Sequence, residues 1–160
     1  MNNNVRRNLV WALENICMSE EAFVYGAQCL ARLAVADNEN ISNNATGQFV
    51  QLFHLYLSGT KADLKQRILL LQKMRKDDSY LSLIVKALDN ALQARDFIRL
   101  NTSGTLHIEE TATDCKPTIS EIYIYWRECA ILMKGIAEQR SDLVFSMMEI
   151  LVRHVAFFIT

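Results

Sequence analysis

Residues that interrupt helices are scarce in this chain, which has one proline, Pro117, and five glycines among 160 residues. Relative to alanine, proline disfavours a helix interior by about 3 kcal/mol and glycine by about 1 kcal/mol. Apolar side chains instead recur at three- and four-residue spacing along most of the chain, as in amphipathic helices. The sequence therefore predicts an all-α fold, a single domain over residues 1–160 built as a bundle of six or seven helices.

An excess of charge of either sign is also missing, because 17 Lys and Arg stand against 18 Asp and Glu for a net charge of −1. Such a balance gives no overall attraction to nucleic acid or to an anionic membrane. The last apolar run is interrupted by Glu149, Arg153 and His154, so it is shorter than the ~20 apolar residues of a membrane span. We expect no membrane partner, and nucleic acid is the less favoured partner.

Paired cysteine spacing is absent as well. None of the four cysteines forms a C-x-x-C pair, and Cys17, Cys29 and Cys129 lie on predicted apolar stripes. Buried cysteines without paired spacing are typical of reduced thiols in a cytoplasmic protein. Glycine-rich phosphate loops and helical His–Glu metal motifs are missing too. The sequence therefore predicts no catalytic residue, no cofactor and no metal site.

Local signals place the helices. Thr118-x-x-Glu121, directly after Pro117, has the pattern of a capping box and predicts a helix start, and Thr60-x-x-Asp63 is a weaker version of the same pattern. Asp77 predicts the cap of another helix. The apolar spacing predicts helices over residues 5–17, 20–36, 45–58, from the Thr60 box to 75, 80–99, from 118 to about 138, and from about 142 to the end. The helical period is lost over 101–117, which predicts one long irregular loop.

The last of these helices is apolar nearly all round. A helix without a wide polar face is enclosed by other helices or by a partner chain. We therefore expect the C-terminal helix at the centre of the bundle, and a homodimer through this helix is the alternative.

Two features point to protein binding. Acidic residues gather in and after the long loop, at Glu109, Glu110 and Asp114, and two tyrosines, Tyr123 and Tyr125, follow them. Tyrosines are enriched in protein interfaces, and a surface that meets a basic partner carries carboxylates. The sequence favours a non-catalytic protein-binding module, a small inhibitor of the immunity type that covers a toxic enzyme. A nuclease, with its basic groove, would suit these residues as the partner.

Two alternatives remain open. Four lysines of the fourth helix fall on one face opposite its main apolar residues, and they could contact phosphates in a small nucleic-acid-binding regulator: Lys61, Lys65, Lys73 and Lys76. The second alternative is a helical enzyme or ligand carrier with dispersed site residues, its pocket lined by Trp126 and neighbouring side chains.

Overall fold

The computed structural model describes residues 3–36, 44–56, 58–93 and 114–155. Within these ranges the chain forms seven α-helices and two short 3₁₀ turns, Asp78–Tyr80 and Ser141–Leu143, and no strand. The all-α prediction is confirmed. In chain order the helices are α1 (Asn3–Cys17), α2 (Phe23–Val35), α3 (Ala45–Gln51), α4 (Leu64–Met74), α5 (Leu81–Ala91), α6 (Ile119–Gln139) and α7 (Val144–Val155). Among these helices, none is both long and apolar enough to cross a membrane.

The strongest predicted helix start is confirmed. Thr118 Oγ1 accepts a hydrogen bond from the backbone N–H of Glu121 at 3.3 Å, and Glu121 Oε2 accepts from the backbone N–H of Thr118 at 2.7 Å. Asp77 also caps as expected, since its carboxylate accepts from the backbone N–H of Ser79 at 3.0 Å. These bonds satisfy backbone donors that the first turn of a helix leaves without partners.

The start of α4 lies one turn later than predicted. Thr60 Oγ1 accepts from the nearby Ala62 N–H at 3.1 Å, whereas Asp63 and Gln66 form the reciprocal capping box. Asp63 Oδ1 accepts from the Gln66 N–H at 2.6 Å, and Gln66 Oε1 accepts from the Asp63 N–H at 3.2 Å. Asp63 therefore takes the capping position that the sequence assigned to Thr60.

The helix predicted over 45–58 is shorter, because α3 ends at Gln51. Most described residues of the irregular segment that follows, 52–56 and 58–62, are nevertheless buried, whereas Tyr56 and Lys61 are exposed. Gly59 adopts a φ of 73° that other residues rarely take. Arg67 holds this segment in place. Its Nε donates to the Ala62 carbonyl at 2.9 Å and its Nη1 donates to the His54 carbonyl at 2.7 Å.

Arg67 is fully buried, on the apolar face of α4 that Leu64, Ile68 and Leu71 share. Burial lowers the pKa of its guanidinium. The sequence interpretation missed this role, although the position of Arg67 one turn from Leu64 and Leu71 was a visible signal. A long cation on an apolar face satisfies carbonyls that a chain without regular structure cannot pair itself.

The centre of the bundle belongs to α5 and not to the C-terminal helix. Seven of the eleven α5 residues are buried, and α5 packs against α2, α3, α6 and α7. The central position predicted for the last helix is therefore wrong. α7 lies at the edge against α5 and α6, with Met147, Ile150 and His154 buried, while Phe145 is 72% exposed and Val152 is 74% exposed.

The predicted long loop 101–117 lies mostly outside the described residues. Its last part, residues 114–117, has no regular secondary structure, and the Cys115 N–H donates to the Thr60 carbonyl at 3.2 Å. The fifth predicted helix, 80–99, is observed as far as Ala91, and residues 94–99 are likewise outside the described ranges.

A candidate binding groove between α4 and α6

The candidate site is a groove of about 370 Å³ between α4 and α6, which we call the α4–α6 groove. One end of the groove is formed by Asp63 and Glu121, at the beginnings of the two helices. A second cleft between the same helices is lined by Arg75 and Gln139, at their ends. The two helices therefore run parallel, and Gln72, near the end of α4, bridges them by donating to Glu128 Oε2 at 3.3 Å.

The floor of the α4–α6 groove is apolar. Leu64, Ile68 and the ring of Tyr125 are buried beneath it, and Leu69 and Ile124 form its sides with more than half of their surface exposed. Ile131, two turns beyond Ile124 on α6, is exposed to the same degree. These side chains leave apolar surface uncovered along the length of α6, and such surface is typical of a binding site.

Carboxylates line the edges of this apolar floor. Among the described residues that line the groove, Asp63, Glu121 and Glu128 each carry a carboxylate, and Lys65 carries the one ammonium group. The hydrogen bond from the Thr118 backbone N–H lowers the pKa of Glu121, so its carboxylate is ionised at neutral pH. The groove thus offers apolar contacts and net negative charge, a combination that fits a cationic, amphipathic ligand.

Tyr125 was predicted as an exposed binding residue, and this prediction is wrong. Tyr125 is 1% exposed, and its hydroxyl donates to the Phe53 carbonyl at 3.1 Å. Burial raises the pKa of this hydroxyl well above its ordinary value. The core face of α6 carries Ile122, Tyr125 and Cys129, whereas Trp126 is half-buried and donates its Nε1–H to the Ala91 carbonyl at 3.1 Å.

The other predicted protein-binding residues are not brought together within the described part of the chain. Tyr123 is 64% exposed and packs its ring edge-on against Trp126, with centroids 6.1 Å apart, outside the lining of the α4–α6 groove. Asp114 is half-buried at the beginning of the segment that leads into α6. Glu109 and Glu110 lie outside the described residues. Their part in binding stays a prediction.

The four lysines of the nucleic-acid alternative, Lys61, Lys65, Lys73 and Lys76, are all exposed. Lys61 lines neither groove, and the other three divide between two places. Lys65 lines the acidic α4–α6 groove, whereas Lys73 and Lys76 line a separate cleft of about 290 Å³ with Arg32 of α2 and with Asp77. We call this second place the basic cleft. Arg32 is a member that the sequence interpretation missed, since only packing brings α2 beside the end of α4.

Among the described residues, no three His, Cys, Asp or Glu side chains are arranged to hold a metal ion. Burial lowers the pKa of His54 to about 4 and raises the pKa of the Cys115 thiol. Both shifts favour neutral side chains. Trp126, proposed from the sequence as part of a ligand pocket, does not line the α4–α6 groove.

Comparison with known proteins gives no relationship from which a function could be transferred. No protein-family model matches the chain, and no curated protein or solved structure matches it significantly. We therefore infer function from the geometry of the grooves and from their charges.

Proposed function

We propose that this protein is a non-catalytic protein-binding module whose α4–α6 groove receives an apolar, positively charged segment of a partner protein. The observation that carries the proposal is the combination of a buried apolar floor with three carboxylates at its edges. Apolar anchors supply most of the affinity of such a contact, and the charges select the partner and speed its approach.

The shape of the groove favours a partner segment in helical form. Two parallel helices leave a furrow along their length, and an amphipathic helix fits into such a furrow with anchors spaced by three or four residues. In this arrangement the anchors of the partner cover Leu69 and Ile124. Its Lys or Arg side chains reach Glu121 and Glu128.

Within this class we favour an inhibitor of the immunity type, which neutralises a basic toxic enzyme such as a nuclease by covering its surface. The net negative charge of the groove supports a basic partner. The free thiols of Cys29, Cys115 and Cys129 support a reducing, cytoplasmic location.

The probe of the first test is a fluorescent helical peptide with leucines on one face and lysines on the other. Fluorescence anisotropy measures its binding. Ile124→Asp and Glu128→Lys each alter the groove at an accessible side chain. We expect each to weaken binding about tenfold, equivalent to about 1.4 kcal/mol. An analogue with glutamate in place of lysine should not bind.

Two substitutions outside the groove serve as matched controls. Ile119→Asp changes an exposed isoleucine of the same helix, and Glu20→Lys reverses an exposed charge before α2. Both should bind the peptide like the original protein. The proposal fails if the groove variants and the controls bind equally, or if the glutamate peptide binds as tightly as the lysine peptide.

The basic cleft supports a second candidate function, contact with nucleic acid. Arg32, Lys73 and Lys76 surround one cleft beside a single carboxylate, Asp77. A gel-shift titration at low salt with duplex DNA and with RNA tests it. Binding that is lost in Lys73→Glu but kept in Lys86→Glu, an exposed lysine of α5, would favour this function. The absence of any shift would remove it.

A further inference from the structure

α7 exposes an apolar surface on the side opposite its buried face. Met147, Ile150 and His154 point into the bundle, while Phe145, Met148 and Val152 follow one another at three- and four-residue spacing on the outer side. Phe145 and Val152 are among the most exposed large apolar side chains of the described residues. We call these three outer residues the α7 stripe. Water contact with such a stripe is unfavourable, and stripes of this spacing pack against another helix.

A groove borders the α7 stripe. It lies between α6 and α7 and has a volume of about 190 Å³. Its lining is mainly apolar, with Met133, Met148 and Leu151, and Lys134 is its one charged lining residue. One surface therefore presents both a protruding ring, Phe145, and an apolar hollow. A surface that holds both shapes can be complementary to a copy of itself, which is the requirement for a two-fold interface.

The α7 stripe and the α4–α6 groove differ in charge. Two copies of the acidic groove cannot face each other, because like charges opposite one another cost several kcal/mol. The α7 stripe carries no charged side chain, so two copies can meet without that cost. Ser146 and Glu149 lie at its margin and would form part of the polar rim that surrounds the apolar centre of an ordinary interface.

We propose that this protein forms a two-fold homodimer in which the α7 stripes of two copies pack antiparallel. Phe145 and Val152 lie equally far on either side of the 148–149 peptide. An antiparallel pair centred there places Phe145 of each copy against Val152 of the other, and the two helix dipoles oppose each other favourably. Because the dimer uses a surface away from the α4–α6 groove, it does not depend on the function proposed above.

The test measures the mass of the whole protein by sedimentation velocity and light scattering across micromolar concentrations. We expect twice the mass of one chain at the upper end. Phe145→Glu and Val152→Lys each place an uncompensated charge in the interface and should shift the protein to the single-chain mass. Tyr25→Glu is the matched control, since Tyr25 of α2 is 74% exposed, nearly the same as Phe145, and lies away from α7. It should leave the dimer intact.

A mixture of the two variants tests the antiparallel arrangement. One copy carrying Phe145→Glu and one carrying Val152→Lys would bring the new carboxylate beside the new ammonium group at one end and keep the original contact at the other. The mixture should recover the dimer mass. A protein that stays at the single-chain mass at all concentrations overturns the proposal, as does a dimer that survives both substitutions. Failure of the mixture to recover would refute the antiparallel packing.

Discussion

Gly26 and Gly135 occupy the interiors of two helices, and replacement of each by alanine should change the free energy of unfolding in opposite directions. A Cβ built at Gly26 of α2 would lie 2.7 Å from Cys17 Sγ, 3.0 Å from Ile16 Cγ2 and 3.3 Å from the Cys17 backbone nitrogen of α1. A Cβ at Gly135 of α6 would instead meet the guanidinium group of Arg75.

The outcome depends on which atoms can move. Alanine in a helix interior is favoured over glycine by about 0.5–1 kcal/mol. At Gly26 the obstacle is packed α1, including its backbone, and overfilling of this kind costs about 1–3 kcal/mol. We therefore expect Gly26→Ala to destabilise by about 1–2 kcal/mol. At Gly135 the obstacle is the end of a flexible, half-exposed side chain that can rotate away, so Gly135→Ala should stabilise by about 0.5 kcal/mol.

Thermal and urea unfolding followed by circular dichroism measure both changes. For a protein of this size about 1 kcal/mol corresponds to about 2–4 °C. Gly26→Ala should thus lower the Tm by roughly 2–8 °C, and Gly135→Ala should raise it by about 1–2 °C. Adding Cys17→Ala to Gly26→Ala removes the nearest obstacle, so the loss in the double variant should be smaller than the sum of the single losses. Equal Tm values for the two glycine variants would refute the reasoning.

Three further substitutions test individual contacts. Thr118→Ala removes the capping oxygen of α6 and should cost about 1 kcal/mol in urea unfolding, whereas Thr118→Ser should cost much less; equal losses would contradict the cap. Tyr125→Phe leaves the buried Phe53 carbonyl without its donor and should lower the unfolding free energy by about 1–2 kcal/mol, while Tyr123→Phe, at an exposed ring, should not change it. Burial lowers the pKa of His54 to about 4, so the unfolded chain, with a pKa near 6.5, binds the proton first as the pH falls. Stability should therefore decline between pH 6.5 and 4 by about 3 kcal/mol from this group, and His54→Gln should flatten the decline in a pH series of urea titrations.

The fold class and several helix starts could be predicted from the sequence because their causes are local. The scarcity of Pro and Gly permits long helices. The Thr118–Glu121 capping box joins two residues three positions apart in the chain. The sequence pattern therefore contains both partners of the hydrogen bonds that form. Asp77 acts in the same local way.

The candidate site could be predicted only in part. Lys65 and the acidic character of the region before and within α6 were visible, but the α4–α6 groove joins Gln72 to Glu128, residues 56 positions apart. Tyr123 and Tyr125 show why burial could not be predicted, because the two tyrosines look alike in the sequence. The packing of α6 buries Tyr125 and leaves Tyr123 exposed.

The sequence by itself determined that the fold is helical, about where most helices lie and which of their faces are apolar, since these follow from contacts within one or two turns. The end of α3 and the start of α4 differ from the prediction. Tertiary packing decided which apolar face is covered. α7 has apolar residues on two sides, and the bundle buries one of them because α5 already fills the centre. Arg67 likewise acquired its role from carbonyls as far as 13 residues away, which no local period encodes. Burial is a property of the assembled helices, and a side chain is covered only when a partner of matching shape reaches it.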